Sequence, residues 1–161
     1  MSREYRQWVA KYQDQAWTLA RYILKDPSEA EDATQEAFVK LWNHRNSIDR
    51  DRIKPWLMRV TRNHCLDRLR RRRPEQEFVE YQAVEEHGPA RNTEQRELGL
   101  ILKRAISALK EPYRSLVVLR DIEQHSYEEV AGVTELSLSQ VKVYLHRARK
   151  QLREQLAEVR P

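Results

Sequence analysis

The chain has 161 residues, with 30 lysines and arginines against 25 acids and a formal net charge of +5. That length allows one compact domain or two small ones. With only three glycines and apolar residues at helical spacing nearly throughout, an all-α fold is expected. The lone Cys65 excludes an internal disulfide and fits a reducing compartment. No apolar run approaches the roughly 20 residues of a membrane span, and no signal-peptide pattern opens the chain. A cytoplasmic protein without membrane insertion is therefore expected.

Charge is unevenly distributed. Residues 1–73 carry 17 Lys/Arg against 10 Asp/Glu, residues 74–98 carry 2 against 7, and residues 99–161 carry 11 against 8. A basic, acidic, basic layout suits two nucleic-acid-facing modules around an acidic connector.

In chain order, the first helix is predicted from about Glu4 to Leu24, with Tyr5, Trp8, Val9, Tyr12, Ala16, Leu19 and Ile23 on one stripe. Asp26 then caps a second helix, Pro27 takes its first position, and Glu29 is expected to complete a capping box. Ala30, Ala33, Ala37, Phe38, Leu41 and Trp42 form its apolar stripe, while Glu31, Asp32, Gln35 and Glu36 line the outside. A polar loop, Asn43 to Lys54, leads to a third helix that Pro55 opens and Pro74 stops after the basic run ending at Arg73.

Residues 74–93 have no sustained period, two prolines and Gly88, and are predicted to be a flexible linker. The expected organisation is a first domain over 1–73, a linker over 74–93 and a second domain over 94–161. In the second domain Leu98, Ile101, Leu102, Ala105, Ile106 and Leu109 should form one amphipathic helix. Lys110, Glu111 and Pro112 break the chain before a helix bearing Tyr113, Leu116, Val117 and Leu119.

The stretch from Ser126 to Arg149 is the most telling. Ser126 with Glu129, and Ser137 with Gln140, each have capping-box spacing, and only Val133 to Leu136 separate the two helices. Val141, Leu145, Ala148 and Leu152 fall on one face of the second helix, and Gln140, Lys142, His146, Arg147, Arg149, Lys150 and Arg153 on the others. Tight turn, double capping and apolar seam favour a helix-turn-helix that enters a DNA major groove over a merely solvated basic face.

Catalysis finds little support. The chain shows no glycine-rich phosphate loop, no metal-spaced Cys/His set and no nucleophile elbow, so no catalytic residue, metal or cofactor is expected. His64 and Cys65 are neighbours on a helix and point apart, which makes them a poor ligand pair. On the third helix Arg59, Arg62, Arg68 and Arg70 surround Asn63 and Asp67. Such a set can grip phosphates and reach unstacked bases, and it equally suits a solvated amphipathic helix.

Taken together and in order, Asp26 to Trp42, Pro55 to Arg70, Leu109 to Arg114, Leu119 to Glu123 and the helix-turn-helix resemble a small bacterial sigma factor. The type is the extracytoplasmic-function (ECF, group 4) class of the sigma-70 family, and the resemblance covers nearly the whole chain. It implies a region 2 helical bundle and a region 4 helix-turn-helix joined by a flexible acidic linker that threads the polymerase's RNA path. Glu31, Asp32, Gln35 and Glu36 would bind the clamp helices of the large subunit of core RNA polymerase. Asn63 and Asp67, with the loop before them, would read the −10 element, and Arg59, Arg62 and Arg70 would hold its backbone. Lys142, His146 and Arg147 would face −35 bases, Gln140 would lie on the same surface, and Arg120 and Arg149 would contact phosphate. A separate anti-sigma factor is the implied regulator.

The chain departs from the family pattern at Gln124-His125 and Glu135, where glycine is usual, and at Ser139-Gln140 and Val143-Tyr144 in the recognition helix. A dimeric helix-turn-helix regulator that does not bind polymerase is the alternative its C-terminal half allows.

Overall fold

The computed structural model describes residues 2–72, 80–83 and 92–159, which form seven α-helices and no strand among them. Helix α1, Arg3–Leu24, starts where the Ser2 hydroxyl accepts the Tyr5 N–H at 3.1 Å. It ends at Lys25, whose backbone is left-handed (φ 68°) and whose N–H returns to the Arg21 carbonyl at 2.8 Å. Helix α2, Pro27–His44, is capped by the Asp26 carboxylate on the Ser28 N–H. The capping box expected from Glu29 gives way to a stronger partner: its carboxylate takes the Arg72 guanidinium arriving from the end of α3.

After a short 3₁₀ turn at Arg50–Arg52, α3 spans Ile53–Arg70. It opens two residues before Pro55, which therefore sits in the first turn, where its missing N–H has no intrahelical acceptor to lose. The Pro74 stop lies outside the described residues; the helix already ends at Arg70. Leu19, Ile23, Leu41, Leu57, Met58 and Cys65 meet in the fully buried core of this three-helix bundle, and Ala30, Ala33 and Ala37 let α2 approach closely.

The second half comprises α4 (Thr93–Ser107), α5 (Tyr113–Val117, continued by a π-helical turn over Val118–Ile122), α6 (Tyr127–Thr134) and α7 (Leu138–Val159). Leu116, Leu119, Val130, Val133, Val141, Leu145 and Ala148 form its core. The stripe expected on α4 is buried only at the C-terminal end, at Ile106 with Leu109 beyond it. Leu98 and Leu102 are 46% and 43% exposed.

Part of the expected flexible linker is fixed. Tyr81 is buried, its ring lies 4.2 Å from the Arg21 guanidinium, and the Gln82 N–H donates to the Lys25 carbonyl at 2.8 Å. Arg21, itself buried, donates to both the Lys25 and Gln82 carbonyls, so an internal cation ties the connector to the end of α1. Residues 73–79 and 84–91 of the linker region lie outside the described set.

The two halves pack on each other. Helix α3 lies against α6, and α1 against α4 and α5. Across this seam Lys54 pairs with Glu129 at 2.8 Å, and Arg62 with Glu111 at 3.3 Å. Behind Glu129, the fully buried His125 ring meets the Glu123 carboxylate at 3.0 Å. Burial pushes the Glu123 carboxyl up, against the pull of His125.

Candidate nucleic-acid interface

Three surfaces gather the residues singled out by the sequence. On α2, Ala30, Ala33, Thr34, Ala37 and Phe38 face inward, so Glu31, Asp32, Gln35 and Glu36 all stand exposed on the outside. Three of them border a groove shared with α3, lined by Asp32, Gln35, Glu36, Val39, His64 and Arg68 among others. Asp32 lies 3.9 Å from Arg68, a loose pair between a half-buried arginine and an exposed acid that constrains the acid little. Burial, with Lys40 and Arg68 nearby, lowers the pKa of His64, which favours a neutral imidazole in this groove. Val39 was not singled out from the sequence. At 54% exposure it is an apolar side chain among the acids, and its signal was an apolar residue at a position where the helical period calls for a polar one.

On α3 the expected set divides. Asn63 and Arg70 are exposed and Arg59 is half-buried, and their spacings of four and seven residues place them on one outward stripe. Asp67 is exposed beside them and takes the Arg70 guanidinium at 2.8 Å. Trp56 lies on the same flank, its ring 5.8 Å from that of His44 across the intervening loop. Arg62 does not join them. It points into the seam, where its Nε donates to the Ser115 hydroxyl at 2.9 Å and its Nη2 to Glu111 at 3.3 Å. One residue's step along a helix turns a side chain by about 100°, which separates Arg62 from Asn63.

Glu111 is the hub of that contact. It accepts from Arg62, from Arg114 Nε at 2.8 Å and from the Ser115 hydroxyl at 2.6 Å. Burial pushes its carboxyl up, but Arg114, Arg62 and Ser115 outweigh burial and hold it below the usual carboxylate range. Burial also pushes the Cys65 thiol up to about 12, leaving it an inert core residue.

The helix-turn-helix forms as its sequence requires. Ser126 and Glu129 exchange both capping-box hydrogen bonds at 3.1 Å. Ser137 and Gln140 do the same at 3.1 and 2.9 Å, which commits the Gln140 carbonyl to the helix start. Glu135 closes α6 with φ 59°, and Gln124, also at φ 59°, shapes the turn before it. Both are left-handed positions that favour glycine. On α7, Val141, Leu145, Ala148 and Leu152 are buried, leaving Lys142, Val143, His146 and Arg147 exposed. Two expected phosphate ligands are already engaged. Arg149 forms a bidentate pair with Asp121 at 2.6 and 3.0 Å, and the Asp121 hydrogen bond raises its pKa. Arg120 donates to the His125 carbonyl at 2.9 Å and lies over the Tyr127 ring. Both remain partly exposed at the rim of the same face.

Among the described residues no three His, Cys, Asp or Glu side chains converge to hold a metal ion, and no helix is long and apolar enough to cross a membrane.

Comparison with known proteins covers both halves. The sigma-70 region 2 family matches residues 8–75 and the sigma-70 region 4 family residues 99–152. The ECF RNA polymerase sigma factor SigE of Mycolicibacterium smegmatis is 34% identical over 155 residues, covering 93% of this chain and 60% of the relative. The chain thus spans less than two thirds of that relative's length. The RNA polymerase sigma-E factor of Streptomyces coelicolor is 33% identical over 154 residues, covering 95% of this chain and 86% of that protein. The sigma factor RpoE of Bartonella quintana, solved in complex with the anti-sigma factor NepR, shares the fold: TM-score 0.81 at 23% identity, over 97% of this chain and 98% of that one.

Proposed function

The chain belongs to the extracytoplasmic-function sigma factors of the sigma-70 family, and on that premise we propose which of its surfaces carries each step of transcription initiation. As a sigma factor it binds core RNA polymerase and directs it to promoter DNA. The exposed acids Glu31, Asp32 and Glu36 and the amide of Gln35 on α2 bind the clamp helices of the large subunit, with Val39 supplying an apolar contact one turn further along the same face. A well-capped helix with acids outward presents fixed negative charge to a basic helical partner, which favours on-rate and register. Domain bounds of 1–73 and 94–161 place this surface and the −10 surface in the first half.

The outward stripe of α3 meets the −10 element. Asn63 and Asp67 contact bases exposed by melting, and Arg59 and Arg70 hold the backbone, consistent with pocket contacts to unstacked bases. Helix α7 enters the major groove of the −35 element with Lys142, His146 and Arg147 toward the bases. Gln140 contributes through its amide N–H groups, since its carbonyl serves the helix cap. Arg120 and Arg149 contact phosphate from the rim.

The closed packing of the two halves belongs to the chain free of polymerase. Arg62 takes part in −10 binding only after leaving Glu111 and Ser115. A separate anti-sigma factor holding the closed form fits the likeness to RpoE, which was solved with NepR. The observation that carries the assignment is the order of the two matched regions, with exposed acids on α2 and a basic outward face on α7. A dimeric regulator needs no such acidic surface.

Size-exclusion co-elution with bacterial core RNA polymerase, followed by promoter-directed transcription from the mixture, tests it. A stable complex with specific initiation is expected. A dimer that binds duplex DNA and ignores core polymerase would overturn it.

A further inference from the structure

We propose that Val143 reads the 5-methyl group of a thymine in the −35 element, so that part of the chain's promoter preference rests on an apolar contact in a basic helix. The proposal rests on the assignment of α7 to the major groove. Val143 is 48% exposed, although the buried seam of the same helix is built from Val141, Leu145, Ala148 and Leu152. At about 100° per residue, the direction opposite that seam is taken by Ser139, Val143 and Lys150, with His146 and Arg147 at either side. Val143 therefore stands at the centre of the outward face, and it is the sixth residue of α7. Bases are contacted from the N-terminal turns of a recognition helix, so this is the part that faces the groove floor.

Its neighbours sharpen the role. Arg147 has its guanidinium 5.6 Å from the Tyr144 ring, Lys142 has its ammonium 5.9 Å from the Tyr127 ring, and Arg149 is paired with Asp121. These ring and carboxylate contacts hold the cations to the sides of Val143 rather than over it. The short β-branched side chain stands uncovered between them, where it can meet a base edge alongside the polar contacts of its neighbours. In the major groove thymine alone presents a methyl group, while the other bases present donors and acceptors that valine cannot satisfy. A valine on a helix is held in essentially one χ1 rotamer, so its methyl groups are presented with little entropy to lose.

The test uses holoenzyme reconstituted from the full chain and bacterial core polymerase. Preferred −35 sequences are first selected from a randomised duplex library. Each thymine of the selected element is then replaced by deoxyuridine, which removes the 5-methyl group alone. One position should lose about fourfold in affinity, the equivalent of roughly 0.8 kcal/mol for one buried methyl-sized group. The same replacement should cost nothing with Val143→Ala, whose fold and helicity are checked by circular dichroism. Deoxyuridine tolerated at every position overturns the proposal, as does an equal penalty in wild type and V143A. If no −35 sequence is enriched at all, the groove assignment of α7 fails and this proposal fails with it. An enriched element without a Val143-dependent thymine removes only the proposal.

Discussion

Arg62 and Glu111 lie 49 residues apart in sequence and meet at 3.3 Å across the seam between the two halves of the chain. The arginine expected to hold the −10 backbone is thereby spent on holding the second half against α3. Glu111→Gln keeps the shape of the side chain and removes its charge, leaving Arg62 and Arg114 without a counter-ion. The cost should be about 2 kcal/mol of closed-state stability, within the range for a hydrogen bond to a charged group. In return, Arg62 is released. The free chain should expand in small-angle scattering and bind single-stranded −10 DNA more tightly. An unchanged radius and unchanged affinity would mean the contact does not hold the closed form.

The same contact carries a pH signature. Its partners hold the Glu111 carboxyl below the ordinary value of 4.5. Such a group adds stability that is complete above the ordinary value and is lost as pH falls through the lower folded-state value. Chemical-denaturation stability should therefore drop on acidification below about 4.5 in wild type, with a shallower slope in E111Q. Parallel slopes would remove Glu111 from the account.

Reversing Asp32 and Glu36 together to arginine should weaken binding to core polymerase at least about a hundredfold, because like charges set against a basic partner cost several kcal/mol. Both side chains are exposed, so helicity should be unchanged. Titration of labelled core gives the affinity, and a wild-type value would move the polymerase contact elsewhere.

Asn63→Ala should leave core binding intact and slow promoter melting. Loss of one base-facing contact of about 1–3 kcal/mol corresponds to a deficit in open complex of roughly 5- to 150-fold. Permanganate reactivity of −10 thymines reads this directly. A wild-type footprint would place base capture on other residues.

Glu135 sits at φ 59° at the end of α6. A non-glycine residue in a left-handed position costs about 1–2 kcal/mol. Part of the gain from Glu135→Gly is lost to the greater freedom of glycine in the unfolded chain. E135G should raise stability by about 1 kcal/mol, a rise in Tm of about 2–4 °C for a chain of this size. A lower Tm would show that the Glu135 side chain has a compensating role.

Much of this was legible in the residues themselves. Caps at Asp26, Ser126 and Ser137, and apolar spacing on α1, α2 and α7, are local signals, and the structure keeps them. The acidic face of α2 was legible for the same reason: a helical period assigns every residue a side. The period puts Leu98 and Leu102 on the apolar face of an amphipathic helix, yet they are exposed. A period says which residues share a face, not whether another element covers it.

By itself the sequence determined the helices, their order and the family, because propensity, capping and motif order act over a few residues. Only the tertiary structure decided which polar groups are spoken for. Arg62 is bound to Glu111, Arg149 to Asp121 and Glu29 to Arg72, and Tyr81 is buried beside Arg21. Each of these partnerships joins residues at least 28 positions apart, from different elements or from helix and linker. Charge carries no record of its partner along the chain, and a half-buried ion pair exists only once packing has brought two charges together and excluded the water between them.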